Sequence, residues 1–162
     1  MEGETNCNTR EFVLRRDGDG VEVGDDCYPV AGSWTSFFDG QQHDHPPDVS
    51  IDHLVPLKNA WFVRPLRYPW YKWILIRVQS GASEWTTDER EAFANDLDSP
   101  QLWAMTGTVN SEKGSSSPDE WTPPLSDTHC VYAAAWIAVK DKYSLSASNA
   151  EVEALGGLLD TC

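Results

Sequence analysis

Apolar and polar positions follow two different rhythms along this chain, and the rhythms separate strand-like stretches from helical ones. Ser50-Ile51-Asp52-His53-Leu54-Val55-Pro56-Leu57 is a short apolar run with an acid and an imidazole side by side. Such a run predicts a largely buried strand. Pro56 lacks an N–H and ends ladder pairing. Adjacent strand side chains point to opposite faces, so Asp52 and His53 share one surface only if the backbone bends there. Leu102-Trp103-Ala104-Met105-Thr106 predicts a second strand, turned by Gly107. Thr9–Leu14 alternates weakly and predicts a third, Val21-Glu22-Val23 a fourth. Asp17-Gly18-Asp19-Gly20 lies between them, and its turn chemistry predicts an N-terminal hairpin.

The helical rhythm dominates later. Thr86 and Glu89 form a capping box for a helix over Glu84–Leu97, with Trp85, Phe93, Ala94 and Leu97 as its apolar stripe. Ser99-Pro100 breaks it. Thr108–Gly114 suits one or two helical turns, closed by Gly114. Cys130–Tyr143 reads as a helix, and Ser148 with Glu151 caps another through Leu159. No repeat or linker interrupts this order. The expectation is one α+β domain over residues 1–162, with short strands packed against helices.

Composition narrows the function. A net charge of −14 argues against tight non-specific binding to nucleic acid, which depends on neutralising phosphates. It leaves open an enzyme that holds nucleic acid briefly through a local basic patch and a cation. No apolar run approaches a membrane span. The acidic residues Asp17, Asp19, Asp25 and Asp26 lack the final Glu of an EF-hand and read as a solvated turn. His43 and His45 could share a metal, but Pro46-Pro47 and polar neighbours favour an exposed loop. The four cysteines make no C-x-x-C pair. Two early and two late suggest Cys7–Cys27 and Cys130–Cys162, the second clamping the C-terminal helices, each bridge adding about 3 kcal/mol. Disulfides imply an oxidising compartment. No secretory signal precedes Cys7, so the expectation is a secreted protein whose natural start is missing here.

The chain has no phosphate-binding glycine loop and no G-x-S-x-G elbow. What remains is a strand bearing Asp52-His53, a later strand, and a short helix bearing Asn110 and Lys113. Asp52-His53-Leu54-Val55-Pro56-Leu57, Gln101-Leu102 and Asn110-Ser111-Glu112-Lys113-Gly114 resemble the HNH, or His-Me finger, nuclease superfamily with its ββα-metal core. The likeness is nearer to secreted fungal and actinobacterial proteins related to the C-terminal part of GmrSD-type restriction enzymes. Cys7-Asn8-Thr9-Arg10-Glu11, Lys58-Asn59-Ala60-Trp61, Trp85-Thr86-Thr87, Phe93-Ala94-Asn95-Asp96-Leu97 and the tail from Trp121 to Cys162 also fit.

The resemblance implies roles. His53 would be the general base for water, work that suits a neutral imidazole. Asp52 and Asn110 would hold one Mg²⁺ or Mn²⁺ through hard oxygens. Lys113, Lys58 and Arg16 would contact phosphates. Gln101 stands where such motifs usually carry Asn, one methylene longer, which puts the geometry around His53 in question. Phe62–Gln79 is extra relative to the family. It holds Arg64, Arg67, Lys72 and Arg77, no acid, and Tyr68, Trp70, Tyr71 and Trp73, a composition that fits a translated intron. If translated natively, it would be a loop beside the active strand. The leading expectation is a monomeric, metal-dependent endonuclease acting on DNA, or on RNA. The alternatives are a catalytically impaired secreted binding protein on the same scaffold, and a disulfide-stapled protein that binds a cell-wall or membrane surface through aromatics.

Overall fold

The chain opens as a helix where weak alternation predicts a strand. The structure is a computed structural model and describes residues 7–63 and 78–162. In α1 (Thr9–Asp17) the Asn8 side chain accepts from the Glu11 N–H at 3.0 Å, and the Glu11 carboxylate takes the Asn8 N–H at 2.8 Å. This capping box satisfies two otherwise orphaned donors and overrides the alternation. The predicted hairpin is therefore replaced. β1 (Asp19–Val23) pairs antiparallel with β2 (Pro29–Thr35), which pairs with β3 (Gln42–His43). Cys7–Cys27 ties the start of α1 to the β1–β2 connection.

The second sheet carries the centre of the molecule. β4 (Val49–His53) and β7 (Leu102–Thr106) run antiparallel, with Asp52 opposite Trp103 and His53 opposite Leu102. The end of α1 docks on β7. The Arg16 guanidinium donates to the Leu102 carbonyl, and the Ala104 N–H donates to Asp17 Oδ2 at 3.0 Å. Val13, Leu14, Trp34, Val49, Leu102 and Ala104 form a small core between these elements. Gly18 makes room for it: a Cβ there would lie 2.5 Å from Trp34 Nε1, which donates to the Leu14 carbonyl.

After Pro56 the chain turns into α2 (Leu57–Trp61), not further strand. β5 (Phe62–Val63) and β6 (Val78–Gln79) then pair antiparallel, so the two ends of the 62–79 stretch meet. The basic and aromatic residues read in that stretch between Arg64 and Arg77 lie outside the described residues.

α3 (Thr87–Ala94) has the expected Thr86–Glu89 box, but it is shorter than predicted because Ala82–Glu84 forms a separate 3-10 turn. α4 (Gly107–Lys113) follows β7 directly and ends on Gly114, at φ 53°, a backbone that favours glycine. α5 (His129–Lys142) and α6 (Asn149–Leu159) are clamped by Cys130–Cys162, as predicted. Glu151 joins them inside: Oε1 meets Lys140 Nζ and Trp136 Nε1, each at 2.6 Å, while its backbone N–H takes the Ser148 cap. The larger core gathers Phe38, Leu54, Val55, Phe93, Met105, Val109, Tyr132 and Trp136. The fold is α+β, and β4, β7 and α4 form a strand–strand–helix unit at its middle.

Candidate active site

His53 closes β4 and stays half-buried, with its ring fixed. Its Nε2 lies 2.9 Å from the carbonyl oxygen of Ala94. A carbonyl only accepts, so Nε2 carries the proton and the neutral ring keeps its lone pair on Nδ1. Ala94 is the last residue of α3, and its carbonyl is one of the helix's unpaired acceptors.

Gln101 holds the loop that follows. It is fully buried, and its amide makes a two-way contact with Val55: Nε2 donates to the Val55 carbonyl at 2.9 Å, and Oε1 accepts the Val55 N–H at 3.1 Å. The Gln101 carbonyl accepts from the Leu54 N–H at 2.7 Å. The extra methylene does not prevent the side chain from pinning the chain beside His53.

Asp52 and Lys113 form a buried pair. Lys113 Nζ donates to Asp52 Oδ1 at 2.9 Å and to the His53 carbonyl at 2.9 Å. It also lies 2.8 Å from Asp52 Oδ2, which has no other polar partner among the described residues. One ammonium thus ties together a side chain and a backbone oxygen of consecutive residues. Burial pushes the Asp52 carboxyl up and the Lys113 ammonium down, and each partner's charge opposes that. Tyr132, on α5, has a buried hydroxyl without a hydrogen-bond partner among the described residues. Burial first, then the charge of Asp52, pushes its pKa up.

The structure places the other sequence-predicted residues as follows. Asn110 is half-buried on α4, one turn before Lys113 and so on the same face. Among the described residues its amide makes no side-chain hydrogen bond. Lys58 is exposed on α2. The other two residues read as phosphate contacts both sit in ion pairs. Lys113 has no exposed surface, because its charge is needed inside to match Asp52. Arg16 is chelated by Asp17 at 2.6 and 3.0 Å and fastens α1 to β7. His43 leaves the loop predicted for it and bonds Thr106 Oγ1 at 2.9 Å, while His45 is exposed.

A single hard cation suits the donor chemistry of Asp52 and Asn110. Both offer oxygen, and the buried Oδ2 has a lone pair to spare. The Lys113 ammonium would share that carboxylate with the ion. The cluster of Cys7, Glu11 and Cys27 is no rival, since its two sulfurs are joined in a disulfide.

Sequence reasoning missed the Ala94 carbonyl and the clamp behind it. Backbone acceptors carry no residue code. The faint signal was Phe93-Ala94-Asn95-Asp96-Leu97, a helix end followed by a residue that accepts many hydrogen bonds.

A β-strand ending in Asp-His, an antiparallel neighbour preceded by an amide, and a short helix bearing Asn define a ββα unit of the HNH-related class. The chain belongs to the family described as GmrSD restriction endonucleases, C-terminal domain, whose model matches residues 23–158. It is 47% identical over 156 residues to an uncharacterized secreted protein of Arthroderma benhamiae (strain ATCC MYA-4681 / CBS 112371), an alignment that covers 96% of this chain and 68% of that protein. No solved structure matches.

Proposed function

We propose that this protein is a secreted, metal-dependent endonuclease that hydrolyses phosphodiester bonds of DNA or RNA. The observation that carries the reading is the His53–Ala94 bond, because it leaves Nδ1 as the ring's proton acceptor on a half-buried side chain. His53 Nδ1 takes the proton from an attacking water, and the resulting imidazolium keeps its Nε2–H on the Ala94 carbonyl. The C-terminal end of α3 stabilises that charge as it develops. Gln101 keeps the Leu54-Val55 turn that follows His53 from drifting. Lys113 keeps Asp52 and the His53 backbone in register. Asp52 and Asn110 would hold one Mg²⁺ or Mn²⁺, which supplies charge stabilisation to the phosphate and the leaving oxygen when bound. Two disulfides and the secreted relative support an extracellular location.

One observation favours a second reading, a nucleic-acid-binding protein without catalysis: the ammonium already in contact with Asp52 opposes a divalent ion there. Supercoiled plasmid separates the two. The nuclease nicks it with Mg²⁺ or Mn²⁺, stops with chelator, and is inactive as His53→Ala. Equal behaviour of wild type and His53→Ala rules out His53 as the base.

A further inference from the structure

The Ala94 carbonyl sits on His53, and the two residues after it are each tied to a different element. Asn95 caps α3, accepts from Thr9 Oγ1 of α1 at 2.6 Å, and donates back to the Glu91 carbonyl at 2.9 Å. Asp96 is buried and turns the other way. Its Oδ1 accepts the N–H groups of Asp98 and Ser99 at 3.0 and 3.2 Å. Its Oδ2 accepts from the Ser99 hydroxyl, from Tyr143 Oη at 2.8 Å and from Lys142 Nζ at 2.8 Å. Tyr143 and Lys142 belong to the end of α5. Their ring and stem back the same corner: Phe93 meets Tyr143 edge-on at 4.8 Å, and Trp85 meets both rings at 5.2 and 5.6 Å. A carboxylate that accepts from so many donors has few alternative positions. The backbone two residues before it inherits that fixity.

We propose that Asp96 is a positioning residue for the reaction: by fastening the exit of α3 to Lys142 and Tyr143 of α5, it holds the Ala94 carbonyl against His53 Nε2. It thereby selects the ring tautomer whose lone pair is on Nδ1. The proposal rests on His53 being the base, but its first readout does not involve activity. Asp96 itself touches no reacting atom.

Substituting Asn at 96 turns one acceptor oxygen into a donor facing donors. The α3 exit then loses its register, and the Ala94 carbonyl no longer dictates where the ring proton sits. The test is long-range ¹H–¹⁵N NMR of histidine-labelled protein, with the His53 signals assigned by their loss in His53→Gln. Wild type shows His53 wholly as the Nε2–H form. Asp96→Asn shows a mixture, and Tyr143→Phe, which removes one of the bonds, a smaller shift in the same direction. Glu151→Gln is the control: it disrupts a different buried ion pair, the one between Glu151 of α6 and Lys140 of α5, and destabilises the protein, yet keeps the Nε2–H form and normal turnover. With plasmid or oligonucleotide substrate, Asp96→Asn lowers kcat by roughly 10- to 100-fold, the scale of a slightly misplaced catalytic group, with KM unchanged. An unaltered tautomer in Asp96→Asn overturns the proposal. So does an equal shift in Glu151→Gln, which would make the effect one of general loosening. A wild type that cuts nothing while the tautomer shift appears as described sinks the nuclease reading, and with it the role in the reaction, while the hold of Asp96 on the Ala94 carbonyl and the ring tautomer stands.

Discussion

Replacing Lys113 with Met tests whether the buried pair is a structural device as well as a site component. The side chain is fully buried, and its ammonium contacts both Asp52 oxygens and the His53 carbonyl within 2.9 Å. Methionine fills a similar volume but leaves the carboxylate unmatched. Breaking a buried pair from one side costs about 3–5 kcal/mol. Asp52 can escape part of that by taking a proton, since burial already drives its carboxyl upward and Lys113 is the main force holding it down. A loss of about 3 kcal/mol is therefore expected, or about 6–12 °C in Tm for a chain of this size. The sign of the pH effect follows. With Lys113 gone, the folded-state pKa of Asp52 lies further above its unfolded value, so the variant is helped at low pH and loses that help as pH rises. The Tm deficit should be larger at alkaline than at mildly acidic pH. Calorimetry of Lys113→Met, Asp52→Asn and the double variant completes the cycle, and the double variant should recover most of the single loss. A Tm for Lys113→Met equal to wild type, or a double variant as poor as the sum of the singles, would refute the idea that these groups depend on each other.

Other perturbations have equally definite outcomes. Gln101→Ala strands the buried N–H and carbonyl of Val55 and should cost about 2–4 kcal/mol, read by urea unfolding, with loss of plasmid nicking. Gln101→Asn should not rescue it, because drawing the amide back by about one C–C bond, ~1.5 Å, opens both contacts beyond hydrogen-bonding range. Deleting residues 62–79 should give a folded protein of unchanged Tm, since β5 and β6 bring the two ends of that stretch together; failure to fold would mean the stretch supports the core. Asp96 is depressed below the usual carboxylate range: burial works against this, but the bonds from Lys142, Ser99, Tyr143 and the Asp98 N–H outweigh it. A lowered pKa stabilises above the unfolded value, so the Tm gap between wild type and Asp96→Asn should be full at neutral pH and close as pH falls below about 3.8.

Legibility in the sequence followed the range of the interactions. β7, α4, α5 and α6 were readable because their signals are local: a capping box at Ser148, a glycine stop at 114, an apolar period across a short window. The Thr9–Leu14 stretch was misread because Asn8 and Glu11 form a capping box there that alternation does not register. Asp52, His53 and Asn110 were found as a motif, but motif spacing says nothing of which way Lys113 points. Its inward turn depends on a carboxylate 61 positions away. The Gln101–Val55 clasp and the Ala94 carbonyl depend on separations of 46 and 41 residues. Only the assembled fold brings those groups within reach.

The docking of α1 against β7 has a consequence for how molecules of this protein meet one another. Among the described residues β7 has a single strand neighbour, β4, which leaves its outer side as a possible template for a foreign strand. Alternate residues of a strand present their backbone groups to the same side, and on that side the Leu102 carbonyl is taken by Arg16 and the Ala104 amide by Asp17. A passing extended segment finds no open pair to zip onto. Together with mutual repulsion at a net charge of −14, this stopper keeps the central sheet from recruiting its own copies when the protein is crowded.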